Sequence, residues 1–150
     1  MQVQDLMNRN VVTLSPNDTF SHAFALLNER QLRSIPVADD RGVYRGMFDL
    51  YDIWKVLLPK AATLRAVAVT DLSFLSGTPE GLREKLQAAA GRPVTEFLDD
   101  EKSPSIHPEA PLSEAILLLY RSGSTLPVVD RQSRKLLGVV SAWEVLRTLR

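Results

Sequence analysis

The chain has 150 residues, 45% hydrophobic and 24% charged, which is typical of a folded globular protein. Its 18 basic and 18 acidic side chains cancel, which disfavours nucleic-acid binding, and the absence of cysteine excludes disulfides and thiolate metal sites. The polar start MQVQDLMNRN lacks the apolar core of a signal peptide. No apolar run approaches the ~20 residues of a membrane span, so we expect a cytoplasmic protein.

An internal repeat organises the chain, since residues 15–57 align with residues 107–149 at an offset of about 92. Each copy begins with a predicted strand, around VVTL in the first and SPSIH in the second. An amphipathic helix with period 3.6 follows, and Thr19 is placed to cap the first of these helices. Each copy therefore starts as a strand followed by a helix.

The second half of each copy predicts a β-hairpin and a further helix. The runs SIPVAD and TLPVVD each lead through a turn to a second strand. Because proline has no N–H to give a ladder, each run should be an edge strand or begin at its proline. The last helices begin at Asp49 and Ser141, which are both good N-caps.

The predicted unit is therefore β-α-β-β-α, and the fold class is mixed α/β (α+β). One unit alone would leave its apolar helix faces half exposed, so units 1–58 and 94–150 should pack sheet to sheet as a pseudo-symmetric pair. Residues 59–93 form an insert between them, with a helix near 79–90 that begins at Thr78 and Pro79. The apolar stretch 64–77 of the insert should pack on its own chain or on a partner.

These motifs resemble a tandem pair of CBS domains, the regulatory module named after cystathionine β-synthase. The resemblance covers about residues 3–58 and 94–149, and it rests on RSIPVAD and TLPVVD and on GMFDLYD and GVVSAWE. It implies two clefts for an adenosyl ligand such as AMP, ADP, ATP or S-adenosylmethionine. It also implies a homodimer of pairs, control of an enzyme or transporter in trans, and no catalysis.

The candidate ligand contacts follow from what each part of such a ligand needs. A purine needs an apolar slot, a ribose diol a carboxylate, and a phosphate hydroxyls, free N–H groups and positive charge. The slot would be formed by Val12, Ile35, Pro36 and Met47 in the first unit and by Leu126, Pro127 and Val139 in the second. The resemblance assigns the ribose to Asp52 and Glu144, and the phosphate to Asp49, Ser141, Thr13 and Ser105. Arg33 is the candidate phosphate clamp.

The sequence departs from the family pattern at both sites. Asp49 places an anion where the family has a hydroxyl, which makes the first unit poor for a phosphorylated ligand. Glu144 is one methylene longer than the family's Asp. Asp49 and Asp52 can also act as helix-capping residues, and two carboxylates are too few for a tight metal site. The alternative function is a ligand-free dimeric scaffold that uses the insert 59–93.

Overall fold

The computed structural model describes residues 1–58, 78–98 and 104–150. The helices and strands are α1 Phe20–Arg30, β1 Ser34–Ala38, β2 Tyr44–Asp49, α2 Leu50–Leu57, α3 Pro79–Ala89, α4 Leu112–Ser122, β3 Leu126–Val129, β4 Leu136–Val140 and α5 Ala142–Leu149. In these described ranges, 3-10 helices Val3–Asp5 and Val94–Phe97 lie at the start of the first and second unit. The mixed helix and strand architecture confirms the predicted fold class. The apolar stretch 64–77 of the insert lies outside the described residues.

Each unit contains one antiparallel hairpin, β1–β2 in the first and β3–β4 in the second. The predicted first strands are reduced to single parallel bridges, Leu14 to β1 and Ile106 to β3. The Leu14 N–H donates to the Pro36 carbonyl at 2.9 Å, and the next ladder bond would need an N–H from Pro36. Since Pro127 occupies the same place beside Ile106, proline blocks both ladders on their N-terminal side.

The two hairpin turns are closed by matching aspartates. The Asp39 carboxylate accepts the Val43 N–H at 3.0 Å, and the Asp130 carboxylate accepts the Ser133 N–H at 2.8 Å. These backbone donors are the main reason why the pKa of each carboxyl lies below its ordinary value of 3.8. The hairpins also meet each other, because the Tyr44 N–H donates to the Arg134 carbonyl at 3.0 Å.

The predicted helix starts are confirmed. Thr19 caps α1 by accepting the His22 N–H at 3.2 Å. Thr78 caps α3 by accepting the Gly81 N–H at 3.2 Å, and Pro79 is the first residue of that helix. Both interactions satisfy a backbone donor that has no partner within the helix.

Each unit has its own hydrophobic core, and each core is completed by a segment from the other unit. Val3 and Met7 pack into the core of the second unit, whereas Val94 and Phe97 pack into that of the first. The Val3 N–H donates to the Ala110 carbonyl at 2.8 Å, and the Val94 N–H makes the matching bond to the Asp18 carbonyl at 2.8 Å. Packing therefore crosses the predicted unit boundaries in both directions.

Helix α3 of the insert packs on α1 and α2 of the first unit. Its Ala89 is buried in the first core, and the Lys85 Nζ donates to the Leu57 carbonyl at 3.2 Å. The helices of the second unit keep several large apolar side chains exposed in the described part of the chain, namely Ile116, Leu117, Tyr120, Trp143, Leu146 and Leu149. The insert thus makes the two units unequal on their helical faces.

Candidate functional site

A groove of about 960 Å³ is lined by residues of both units. Pro36 and Met47, which are paired across β1 and β2, supply apolar surface from the first unit. Val139 of β4 supplies it from the second unit. Side chains alternate between the two faces of a strand, so these residues face the groove while their strand neighbours fill the cores.

Helices α2 and α5 both begin at this groove, and each begins with a reciprocal capping box. The Asp49 N–H donates to Asp52 Oδ2 at 2.9 Å, and the Asp52 N–H donates to Asp49 Oδ1 at 3.3 Å. At the other helix, the Ser141 N–H donates to Glu144 Oε2 at 2.7 Å, and the Ser141 hydroxyl donates to the same oxygen. The prediction that Asp49 and Ser141 are N-caps is therefore confirmed.

The two carboxylates that the resemblance assigns to a ribose lie in different surroundings. Asp52 is completely buried, with 0% of its surface exposed, and it does not line the groove. The Glu144 side chain is 10% exposed, lines the groove, and accepts a bond of 3.2 Å from the Arg147 guanidinium. Only Glu144 is therefore placed to reach a molecule in the groove as the structure stands.

Eight of the fourteen predicted ligand residues line the groove: Val12, Arg33, Pro36, Met47, Asp49, Val139, Ser141 and Glu144. The six that do not are Thr13, Ile35, Asp52, Ser105, Leu126 and Pro127. The placement of Ile35 and Leu126 in an apolar slot needs correction, because both side chains are fully buried in the cores. Strand alternation turns them away from the groove.

Three aromatic side chains at the groove were not among the predicted contacts. Tyr51, Trp54 and Trp143 all line it, and Trp54 and Trp143 are 51% and 66% exposed. Tyr51 and Trp143 stand 92 residues apart, which is the offset of the repeat. The sequence does contain a signal for Tyr51 and Trp143: both copies of the repeat have an aromatic residue two positions after the N-cap.

The polar lining of the groove is rich in neutral groups and nearly balanced in charge. Its hydroxyl and amide side chains include Asn8, Asn10, Ser34, Ser122, Ser124 and Thr125. Among the described residues, its charged side chains are Arg33, Asp49 and Glu144. No cluster of three or more metal-binding side chains occurs in residues 1–58, 78–98 and 104–150. Nor does any helix in these ranges have the length and hydropathy needed to cross a membrane.

The family model of the CBS domain matches residues 3–57 and 94–150. The chain belongs to the CBS domain family. Proteins of this tandem type are typically regulatory, non-catalytic modules. Each of the two matched segments contains one copy of the internal repeat.

Solved structures of CBS pairs share this fold over nearly the whole chain. The CBS-pair protein CBSX2 from Arabidopsis thaliana is 23% identical, with a TM-score of 0.76 over 99% of this chain and 93% of that one. A structure of CBSX2 in complex with AMP is 22% identical, with a TM-score of 0.70 over 99% and 95%. The CBS domain pair of protein MJ0100, solved with 5′-methylthioadenosine and S-adenosyl-L-methionine, is 18% identical, with a TM-score of 0.66 over 99% and 95%.

A curated relative shares only part of the chain. Over 73 residues, or 49% of this chain, the sequence is 29% identical to a homoserine O-acetyltransferase from Methanosarcina acetivorans. The match spans 14% of that protein's length. So short a match indicates a shared module and carries no acetyltransferase activity to this chain.

Proposed function

We propose that this CBS pair is a sensor module whose groove binds an adenosyl ligand. The observation that carries the proposal is the convergence of matching residues from both units on one groove of about 960 Å³. The volume lies in the range of small-molecule sites, and the combination of apolar wall and few polar groups is typical of them. The AMP, 5′-methylthioadenosine and S-adenosyl-L-methionine bound to CBS pairs of the same fold support this ligand class.

The groove offers partners for both the adenine and the ribose of an adenosyl ligand. Pro36, Met47 and Val139 offer apolar surface to the flat faces of adenine, and the ring of Trp143 can stack on one of them. Glu144 offers a carboxylate oxygen for the ribose hydroxyls, while Asn8 offers an amide for hydrogen bonding. These contacts come from both units, so a bound ligand would join them.

A ligand that joins the two units could also regulate a partner protein. A ligand that contacts both units binds best to one arrangement of them, so it shifts the population towards that arrangement. We propose that an enzyme or transporter acting in trans responds to the difference. The second unit supplies part of the groove lining and also carries the exposed apolar residues of α4 and α5, which gives such a partner a surface on a unit that contacts the ligand.

A thermal-shift panel tests the proposed binding. Adenosine, AMP, ADP, ATP and S-adenosylmethionine are added to the full chain, and a ligand at 100 times its Kd should add about 2.7 kcal/mol to the free energy of unfolding. Ala142→Trp adds bulk to an exposed groove residue and should abolish the shift. Ala88→Trp is the matched control, since Ala88 is exposed on α3 outside the groove.

The proposal fails if no ligand shifts the melting temperature at millimolar concentration. It also fails if Ala142→Trp still responds to the ligand as the natural chain and the Ala88→Trp control do.

The second candidate function is a dimeric interaction scaffold, which the exposed apolar residues of α4 and α5 favour. We propose that this face forms the homodimer. Sedimentation velocity tests it: Leu117→Lys on α4 should shift a dimer to monomer, whereas Arg83→Ala, on the exposed side of α3, should not. If Leu117→Lys is still a dimer, the homodimer contact does not lie on this face. A monomeric natural chain contradicts the homodimer.

A further inference from the structure

We infer that the groove selects phosphate-free adenosyl compounds of neutral or positive charge over adenosine phosphates. The inference rests on the proposed function and concerns the ligand class that the same groove accepts. Two independent features of the groove carry it, namely the state of the N–H groups at the helix starts and the charge of the lining.

At the helix starts, most of the backbone N–H groups that a phosphate would take already donate to other acceptors. In α2 the Leu50 N–H donates to the Arg33 carbonyl at 3.0 Å, and the N–H groups of Asp49 and Asp52 donate to side-chain carboxylates. A helix N-terminus binds an anion through N–H groups that have no other partner. A phosphate at α2 would therefore have to displace a carboxylate that is already in place.

The second helix start is occupied in the same way. The Ser141 N–H and the Ser141 hydroxyl both donate to Glu144 Oε2, and the Trp143 N–H donates to Ser141 Oγ at 3.2 Å. The hydroxyl that a phosphate would recruit is thus committed to a carboxylate. Neither end of the groove offers a prepared phosphate cradle.

The charge of the lining acts in the same direction. In the described part of the chain, one cation, Arg33, and two anions, Asp49 and Glu144, line the groove, which leaves a net charge of −1. Glu144 is partly neutralised by Arg147, so the first-unit end around Asp49 is the more repulsive to an anion.

These ligands share the adenosyl group and differ in net charge. Adenosine and its 5′-thioether are neutral, the adenosyl sulfonium carries a positive charge, and AMP carries up to two negative charges at its phosphate. One pair of like charges ~4 Å apart in water costs about 1 kcal/mol, which is about fivefold in affinity. We expect AMP to bind at least about fivefold more weakly than adenosine or the sulfonium.

Isothermal titration calorimetry on the full chain tests this preference with adenosine, 5′-methylthioadenosine, S-adenosylmethionine and AMP. The expected order places AMP last, and added salt should strengthen AMP binding while leaving adenosine unchanged, because salt screens repulsion. AMP binding as tightly as adenosine overturns the preference and leaves the proposed adenosyl site intact. Failure of all four compounds to bind overturns the proposed function, and the preference with it.

Asp49→Asn tests the cause of the preference. Asn caps a helix as well as Asp does, so the variant removes the charge and keeps the helix start. It should raise the affinity for AMP about fivefold and change that for adenosine less than about twofold. Asp40→Asn makes the same change of charge on an exposed hairpin residue outside the groove and should leave the ratio as it is. An unchanged ratio in Asp49→Asn, or an equal change in both variants, refutes the electrostatic explanation.

Discussion

Gly138→Ala should detach the N-terminal segment from the second unit. An alanine Cβ at this position would lie 2.6 Å from the Asn8 carbonyl oxygen and 3.2 Å from Met7 Sδ. The backbone of Asn8 must then move, although it makes two bonds to Val139, of 2.8 Å and 3.0 Å. Overpacking against backbone and the weakening of these bonds together cost about 1–3 kcal/mol.

The melting temperature is the direct assay. For a chain of this size, 1 kcal/mol corresponds to about 2–4 °C, so Gly138→Ala should lower the melting temperature by about 4–8 °C at the middle of the estimate. Gly91→Ala is the matched control, because a Cβ there meets no heavy atom within 4 Å. That variant should melt within about 2 °C of the natural chain or slightly above it, since alanine restricts the unfolded state.

The outcome that would refute this reasoning is equal stability of the two alanine variants. It would mean that residues 3–8 do not dock on β4, and that the groove wall supplied by Asn8 is absent in solution. Hydrogen exchange of the Asn8 and Val139 N–H groups gives an independent view, and both should exchange faster in Gly138→Ala.

Three further changes probe the cores and the turns. Phe20→Ala, in the buried aromatic cluster of the first core, should cost about 3–5 kcal/mol in urea unfolding, whereas Tyr120→Ala at a residue 86% exposed should cost almost nothing. Asp52→Ala should cost at least about 1 kcal/mol in the same assay, because it removes a buried capping carboxylate. The lowered pKa of the Asp39 and Asp130 carboxyls gives stability that is complete above pH 3.8 and lost as the pH falls through the native values. Between pH 5 and pH 2 the melting temperature should therefore fall less in the double variant Asp39→Asn, Asp130→Asn than in the natural chain. An equal fall in both would contradict the assignment of this acid sensitivity to the two turn carboxyls.

Local patterns in the sequence predicted the elements well. Thr19, Asp49, Thr78 and Ser141 are all N-caps in the structure. A helix start depends on a few neighbouring residues. The repeat also allows Asp49 and Ser141 to be checked against each other, because they stand at the same place in the two copies. The sequence is therefore informative about where helices begin.

The reciprocal packing of the two units was not predicted. Val3 and Val94 stand at matching places in the two copies, so either segment has the side chains to complete either core. The choice is set by non-local geometry, in which each segment reaches the other unit. A single sequence shows that such segments are apolar without showing which core receives them.

The predicted binding residues were limited by strand orientation. Ile35, Pro36 and Val37 are consecutive and all buried, so alternation of hydrophobicity does not distinguish the groove face from the core face. Pairing with β2 decides it, since Pro36 lies opposite Met47 on the groove side. The family resemblance assigned the Asp52 carboxylate to a ribose; in the structure this carboxylate is buried and accepts the Asp49 N–H at its own helix start.

The chain's two tryptophans, Trp54 and Trp143, provide the most direct test of the adenosyl site, because both line the groove and are 51% and 66% exposed. Their two indole N–H signals can be followed by proton–nitrogen NMR while adenosine is added to the full chain. At least one of them should shift saturably, and the shift should be lost in Ala142→Trp, whose additional indole signal is assigned separately. Two indole signals that stay in place at millimolar adenosine would contradict adenosyl binding in the groove.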